Sequence, residues 1–408
     1  MSVVKGIEEL IIALIVLFVA LQITVIVSSA LSTRLRRRRE SVILGQTAPV
    51  HATVEGNQVT VYTYGQDLYR DMLRDIDSAT TCICLESFIW KSDAAGEAFK
   101  DAVIRKAREG VPVYVIFDAF ANLVVPKVFK TFPEVVHVYP YRAWVHLWYL
   151  FDPRRWARDH RKLLVVDREI AYVGGYNIGS LYGTRWRDTH VRMQGSAARN
   201  LFALFVDFWD DHASVCCDLE KVTGSLHPHI HVTVNNPTRL MFPIRSMYIE
   251  AIDLAKHKVL LTTPYFIPDK IILASLYRAA RRGVAVELIV PEQSNHLLAD
   301  WLARTFFTGC LKEGIRIYLY QGAMIHAKTA TIDEMWTTVG TANLDRLSLV
   351  GNHEINVEIF DSKVASAMES VFLHDRSNCR ELQLEQWQRR PLAQKVGELI
   401  LSPLWPFL

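Results

Sequence analysis

A histidine, a lysine and an aspartate with the spacing His-x-Lys-x4-Asp occur twice in this 408-residue chain, and the repeat constrains the fold more than any other feature. Each position of the first copy has its counterpart 166 residues later. The paired positions are His160 and His326, Lys162 and Lys328, Asp167 and Asp333, Gly174 and Gly340, Asn177 and Asn343, and Asp188 and Glu354. A single offset shared by six pairs indicates internal duplication.

The segments that precede the two motifs repeat the same order of elements. In each half a predicted helix (residues 96–109 and 269–282) ends at a glycine and is followed by a predicted strand (111–117 and 284–290). Alternating strands and helices are typical of an α/β sheet. We therefore expect two fused, pseudo-symmetric α/β/α halves with mixed sheets, and an N-terminal transmembrane helix in front of them.

The expected helix is residues 10–31, which carry no charge and are almost wholly apolar. About 20 such residues cross the hydrocarbon layer of a bilayer. A run of arginines at 34–39 follows at once, as in a stop-transfer anchor rather than a cleaved signal peptide. The positive-inside rule then predicts an inner (plasma) membrane protein with its catalytic part on the cytoplasmic side. A hairpin or an in-plane helix is the alternative.

The chain divides into four predicted parts. They are residues 1–40, the membrane anchor with its basic run; 41–222, the first half; 223–378, the second half; and 379–408, an amphipathic C-terminal tail. In the tail, Leu392, Val396, Leu399 and Ile400 share one helical face. Such a stripe favours either a helix in the membrane interface or packing against the protein's own core.

Composition argues against several other classes of function. The net charge of +3 is too small to indicate nucleic-acid binding. The six cysteines include no C-x-x-C pair, and the alternating histidines at 227–231 have no cysteine or carboxylate at ligand spacing. We expect no metal, no cofactor and no nucleic-acid partner.

The repeated residues suit chemistry at a phosphodiester. On a strand, a histidine and the lysine two positions later point to one face. Two halves meeting at one cleft would supply two imidazoles, two ammonium groups and the amides of Asn177 and Asn343. Lysines and amides can stabilise the non-bridging oxygens while one neutral imidazole attacks phosphorus. The other, protonated, would donate to the leaving alkoxide and later accept a proton from the incoming alcohol.

Five further residues complete the candidate site. Asp188 and Glu354 are suited to orienting the imidazoles, with pairing across the halves left open. Thr341 places a hydroxyl next to the second motif, as a phosphate-binding or orienting group. Asp167 and Asp333 belong to the candidate catalytic set through the motif, although their position after an apolar strand favours a structural role in a turn.

The duplicated motif resembles the signature of the phospholipase D superfamily. Within it, residues 186–192, 263–268 and 340–345 are similar to bacterial cardiolipin synthases. The likeness covers nearly the whole chain beyond the anchor. Two departures are Thr341, where many members have serine, and the single predicted N-terminal span, where bacterial members often have two.

This resemblance implies transfer of a phosphatidyl group from one phospholipid to phosphatidylglycerol through a phosphohistidine, with release of glycerol. It also implies that His160 is the nucleophile and His326 the acid and base. The implied partners are the membrane and its phospholipids, phosphatidylglycerol and also phosphatidylethanolamine as a phosphatidyl source, with the oligomeric state left open. The alternatives are a phospholipase D, a phosphatidyltransferase with another lipid or acceptor, and, less favoured, a nuclease of the superfamily.

Overall fold

The computed structural model describes residues 47–143, 156–220, 222 and 224–403. The elements of the first half are, in chain order, β1 (Val50–Val54), β2 (Asn57–Tyr62), α1 (Gly65–Asp77), β3 (Ile83–Ser87), α2 (Ala94–Arg108), β4 (Val113–Asp118), β5 (His137–Tyr141), β6 (Lys162–Val166), β7 (Ile170–Gly174), α3 (Ser180–Arg185), β8 (Trp186–Arg187), β9 (His190–Gln194) and α4 (Ala197–His212).

The second half follows a similar succession, with a helix and a short strand inserted and further elements at its end. Its elements are β10 (Ile230–Asn235), α5 (Pro243–Leu254), β11 (Lys258–Thr262), α6 (Lys270–Arg281), β12 (Ala285–Pro291), α7 (Leu297–Lys312), β13 (Arg316–Tyr320), β14 (Met324–Ile325), β15 (Thr329–Ile332), β16 (Trp336–Gly340), α8 (Arg346–Val350), β17 (Glu354–Phe360), α9 (Ser362–Ser377), β18 (Cys379–Glu381), α10 (Leu384–Gln388) and α11 (Leu392–Leu401). The inserted helix lies between β12 and β13, and the inserted strand lies before β15.

Each half forms one eight-stranded mixed sheet. The strand orders are β1-β2-β9-β7-β6-β3-β4-β5 and β10-β17-β16-β15-β11-β12-β13-β18. In both sheets an antiparallel hairpin that carries the repeated motif, β6–β7 or β15–β16, lies beside three parallel strands, β3–β5 or β11–β13. The matching orders confirm the prediction of two mixed α/β halves.

The two halves share a hydrophobic core. One continuous cluster of buried side chains includes Val165 of β6, Phe205 of α4 and Val357 of β17. The other face of the first sheet is covered by α1 and α2, whose Leu68 and Phe99 are fully buried. Because apolar burial joins both sheets, the starts of the two motif strands are held in a fixed relation.

The C-terminal helix α11 has one buried and one exposed side. Gly397 and Leu401 are buried, whereas Leu392, Val396 and Leu399 stay exposed. The helix contacts α7 through its buried side. The helix therefore packs on the protein, and a location of its exposed apolar side in the membrane interface stays a prediction.

The predicted membrane anchor at residues 1–40 lies outside the described residues. Among the helices that the structure does describe, none is both long enough and apolar enough to cross a bilayer.

Candidate active site

Backbone contacts between the halves fix both motif histidines. The short strand β8 of the first half pairs in parallel with β14 of the second. There the N–H of His326 donates to the carbonyl of Arg187 at 2.6 Å. In the corresponding place, the N–H of His160 donates to the carbonyl of His353 at 3.1 Å. Each histidine is thus held by the main chain of the opposite half.

The imidazoles also pair with carboxylates across the halves. Nδ1 of His160 lies 2.9 Å from both carboxylate oxygens of Glu354, and Nδ1 of His326 lies 2.6 Å from Asp188. The Thr341 hydroxyl donates to Glu354, and the N–H of Thr189 donates to Asp188 at 2.7 Å. Because each Nδ1 faces a carboxylate, Nε2 is the nitrogen of each ring that can act on a substrate.

The two motif lysines are buried beside the rings. Nζ of Lys162 donates to the carbonyl of His160 at 2.6 Å, and Nζ of Lys328 lies 2.8 Å from Nδ1 of His326. Burial lowers the pKa of Lys162 to about 8 and that of Lys328 to about 7. An anion bound between them would favour their charged forms, as expected of a phosphate site.

The pKa of each motif histidine is lowered by the lysine of the other half as well as by its own. Burial, followed by Lys162 and Lys328, lowers the pKa of His160 well below its usual value. Burial and Lys328 lower the pKa of His326 to about 3, and Lys162 contributes. With pKa values lowered in this way, both imidazoles are neutral near pH 7.

The two carboxylates differ in their ionisation. Burial raises the pKa of Glu354 to about 8, although Lys162 opposes this rise. Burial acts on Asp188 in the same direction, but Lys328 and His326 outweigh it, and the pKa of Asp188 is lowered. The His326 pair therefore holds a full negative charge at neutral pH, whereas the His160 pair is partly protonated. The symmetric sequence gave no sign of this difference.

Both candidate asparagines lie in the loops after the motif hairpins. Oδ1 of Asn177 accepts the N–H of Ile89 at 3.1 Å, and Nδ2 of Asn343 donates to the Ser348 hydroxyl at 3.2 Å. Both side chains are buried, at 3% and 5% exposure.

Asp167 and Asp333 lie at the other end of the motif strands. Each occupies the left-handed region, with φ of 53° and 52°, in the turn of its hairpin. Their carboxylates accept backbone N–H groups of residues 80–82 and 256–258, respectively. Each aspartate follows its histidine by seven residues, which at the rise of a β-strand is up to about 23 Å. This placement favours the turn role over a reacting one.

Aromatic side chains that the sequence alone did not assign to the site pack on the imidazoles. The Phe88 ring lies 4.6 Å from that of His160, at a steep angle. Trp186 and Tyr265 lie 4.9 and 6.3 Å from the His326 ring. Phe88 follows the buried strand β3 directly, and that position at a carboxyl strand end is the signal that could have identified it.

Comparison with known proteins identifies the family of the chain. The family described as "Cardiolipin synthase, PLD-like domain" matches residues 72–202 and 248–376. The major cardiolipin synthase of Bacillus subtilis (strain 168) is 33% identical, over 87% of this chain and 76% of that protein. A cardiolipin synthase of Clostridium perfringens (strain SM101) is 30% identical, over 86% of this chain and 77% of that protein.

A solved structure shares the fold at low sequence identity. The crystal structure of phosphatidylserine synthase from Haemophilus influenzae superposes with a TM-score of 0.67 at 15% identity, covering 88% of this chain and 95% of that one. That likeness concerns the fold alone. The family match over both halves and the 33% identity to the Bacillus subtilis protein show that the chain belongs to the cardiolipin synthase family with the PLD-like domain.

Proposed function

We propose that the protein is a cardiolipin synthase, a phosphatidyltransferase that moves a phosphatidyl group from one phospholipid to phosphatidylglycerol. The observation that carries the proposal is the pair of imidazole–carboxylate contacts made across the halves, His160 with Glu354 and His326 with Asp188. Two buried lysines complete a site for a single phosphodiester.

In the first step, Nε2 of His160 attacks phosphorus. A phosphorus–nitrogen bond forms, and the bond from phosphorus to the headgroup oxygen breaks. Protonated His326 donates its proton to that oxygen, and the headgroup alcohol leaves. Lys162 and Lys328 stabilise the non-bridging oxygens, which carry the most negative charge in the transition state.

In the second step, neutral His326 accepts the proton of the incoming hydroxyl. The oxygen of a second phosphatidylglycerol attacks phosphorus, and the bond to His160 breaks. With phosphatidylglycerol as both substrates, the products are cardiolipin and glycerol. The assignment of His160 as nucleophile rests on family likeness, and its partner Glu354 supports a neutral ring at that position.

To act as the acid, His326 must be protonated, and in the absence of substrate, burial and Lys328 lower its pKa. A phosphodiester bound between the lysines brings a negative charge next to the imidazole. That charge offsets the two ammonium groups, and ionised Asp188 favours the imidazolium further. Substrate binding therefore raises the pKa of His326 and prepares it as the acid.

The membrane supplies the substrates and holds the enzyme. Residues 10–31 would span the inner membrane, with the catalytic part on the cytoplasmic side. The exposed stripe of Leu392, Val396 and Leu399 would lie in the interface beside it.

The test is to incubate the purified full-length chain with vesicles of phosphatidylglycerol and to quantify products by mass spectrometry. Cardiolipin and glycerol in equal amounts support the proposal. Phosphatidic acid alone would identify a phospholipase D, and product formed only with another lipid or acceptor would identify a different phosphatidyltransferase. Cleavage of plasmid DNA without lipid product would favour a nuclease.

A further inference from the structure

A cavity of about 320 Å³ adjoins the second half of the site at the carboxyl ends of β12 and β13. Its wall combines Glu292, Gln293 and Asn295, which follow β12, with Arg185 and Trp186 of the first half. None of these five residues has a part in the two-step mechanism proposed above. Ligands of sheets with parallel strands bind at such strand ends.

One polar atom of this wall lacks a partner. Oε1 of Gln293 is buried and accepts no hydrogen bond from any residue that the structure describes. A buried amide oxygen in that state is destabilising unless ordered water or a ligand supplies a donor. The neighbouring Glu292 pairs with Arg380 at 2.6 Å through Oε1, which offsets its charge beside Gln293.

Two residues of the cavity wall connect it to His326, Trp186 directly and Asn295 through Tyr265. The ring of Trp186 lies 4.9 Å from the His326 ring. Asn295 accepts the hydroxyl of Tyr265 at 2.6 Å, and the Tyr265 ring lies 6.3 Å from that of His326. The cavity is therefore on the side of the group that exchanges a proton with the alcohol.

We propose that this cavity binds the glycerol headgroup of the phospholipid that accepts the phosphatidyl group. The proposal rests on the proposed function. His326 exchanges a proton with the leaving alcohol in the first step and with the incoming alcohol in the second. The incoming headgroup must therefore lie on the His326 side of phosphorus. Gln293 accepts a hydroxyl of the glycerol, and Trp186 covers its C–H face.

Arg185 and Leu181 extend the site to the rest of the acceptor. Both lie on the exposed rim of the cavity, on α3, and Leu181 is 45% exposed. The guanidinium pairs with the acceptor's own phosphate, and the leucine contacts its acyl region. Free glycerol lacks that phosphate, so Arg185 distinguishes the lipid acceptor from glycerol.

The experiment follows the products of one common intermediate. Full-length enzyme in mixed micelles receives phosphatidyl-p-nitrophenol as phosphatidyl source, with glycerol, ethanol and phosphatidylglycerol competing as acceptors. Ratios of products report acceptor choice alone, because all acceptors react with the same phosphohistidine. The variants are Gln293→Leu and Arg185→Gln.

Gln293→Leu is expected to lower the ratio of glycerol product to phosphatidylethanol about tenfold, the change expected for one lost hydrogen bond. Arg185→Gln is expected to lower cardiolipin relative to glycerol product by a similar factor, and it remains informative if the first variant does not fold. Arg304→Gln is the matched control, because Arg304 lines a second cavity of about 320 Å³, which Gln293 also borders, and is absent from the wall of the first.

Unchanged ratios in both variants would overturn the assignment, as would an Arg304→Gln enzyme that shows the Arg185→Gln effect. A wild-type enzyme that releases nitrophenol but makes no cardiolipin would instead contradict the proposed function.

Discussion

Nδ1 of His326 lies 2.6 Å from the carboxylate of Asp188, which belongs to the other half of the chain. The corresponding pair, His160 and Glu354, is arranged the same way but differs in charge, because Glu354 has a pKa of about 8 and that of Asp188 is lowered. The duplicated site is thus symmetric in geometry and asymmetric in electrostatics. Separate acid and nucleophile roles need this asymmetry.

Replacing the two carboxylates by amides should expose that difference. Asp188→Asn removes a full charge from the His326 imidazolium and should lower kcat by roughly a hundredfold or more. Glu354→Gln replaces a group that is already partly neutral near pH 7, so the loss should be clearly smaller. Steady-state kinetics on phosphatidylglycerol in micelles gives both values. Equal losses, or a larger one for Glu354→Gln, would contradict the assigned asymmetry.

Binding of an anion should weaken as pH rises. The pKa values of Lys328 and Lys162 are lowered to about 7 and about 8, so raising the pH through this window removes their positive charges. Tungstate, whose own charge is constant there, should bind less tightly above pH 8, as measured by isothermal titration calorimetry. Affinity that is constant across the window would show that the lysines remain charged. Lys91→Gln, which changes a lysine outside the motifs, serves as the control variant.

The buried ion pair between Arg187 and Asp375 should matter greatly for stability. It joins the halves by two hydrogen bonds of 2.7 and 2.8 Å, with side chains only 2% and 3% exposed. Asp375→Ala leaves a buried guanidinium unpaired and should lower the free energy of unfolding by about 3–5 kcal/mol. Asp67→Ala breaks an exposed pair with Arg70 and should leave the free energy of unfolding nearly unchanged, because solvent screens exposed pairs. Urea denaturation compares them, and equal losses would refute the argument.

Asp333 should behave as a turn residue. Its carboxylate accepts three backbone N–H groups, and its φ of 52° disfavours most other side chains. Asp333→Ala should lower the free energy of unfolding by about 2–3 kcal/mol, from lost hydrogen bonds and backbone strain. Turnover per folded molecule should stay within about tenfold of wild type, whereas His326→Ala should abolish it. A fully folded but inactive Asp333→Ala enzyme would contradict the turn role and indicate that Asp333 takes part in catalysis.

The duplication, and the order of helices and strands along each half, could be predicted from the sequence because one offset of 166 residues relates both motifs. The pairing of each imidazole with a carboxylate of the other half could not be predicted, because residue spacing carries no information on how two sheets pack together. The unequal ionisation of Asp188 and Glu354 depends on where burial and two lysines act in space. Phe88 and Gln293 lie outside the repeated positions, so the duplication does not point to them, although the place of Phe88 directly after a buried strand could have.

Chemical trapping of the intermediate tests the central claim most directly. Wild-type enzyme is mixed with phosphatidylglycerol labelled at phosphorus, quenched under alkaline conditions within a single turnover, and mapped by mass spectrometry. We predict an alkali-stable, acid-labile phosphatidyl adduct on His160, absent in His160→Ala. An adduct on His326 instead, or rapid turnover with no covalent adduct on either imidazole, would contradict the account.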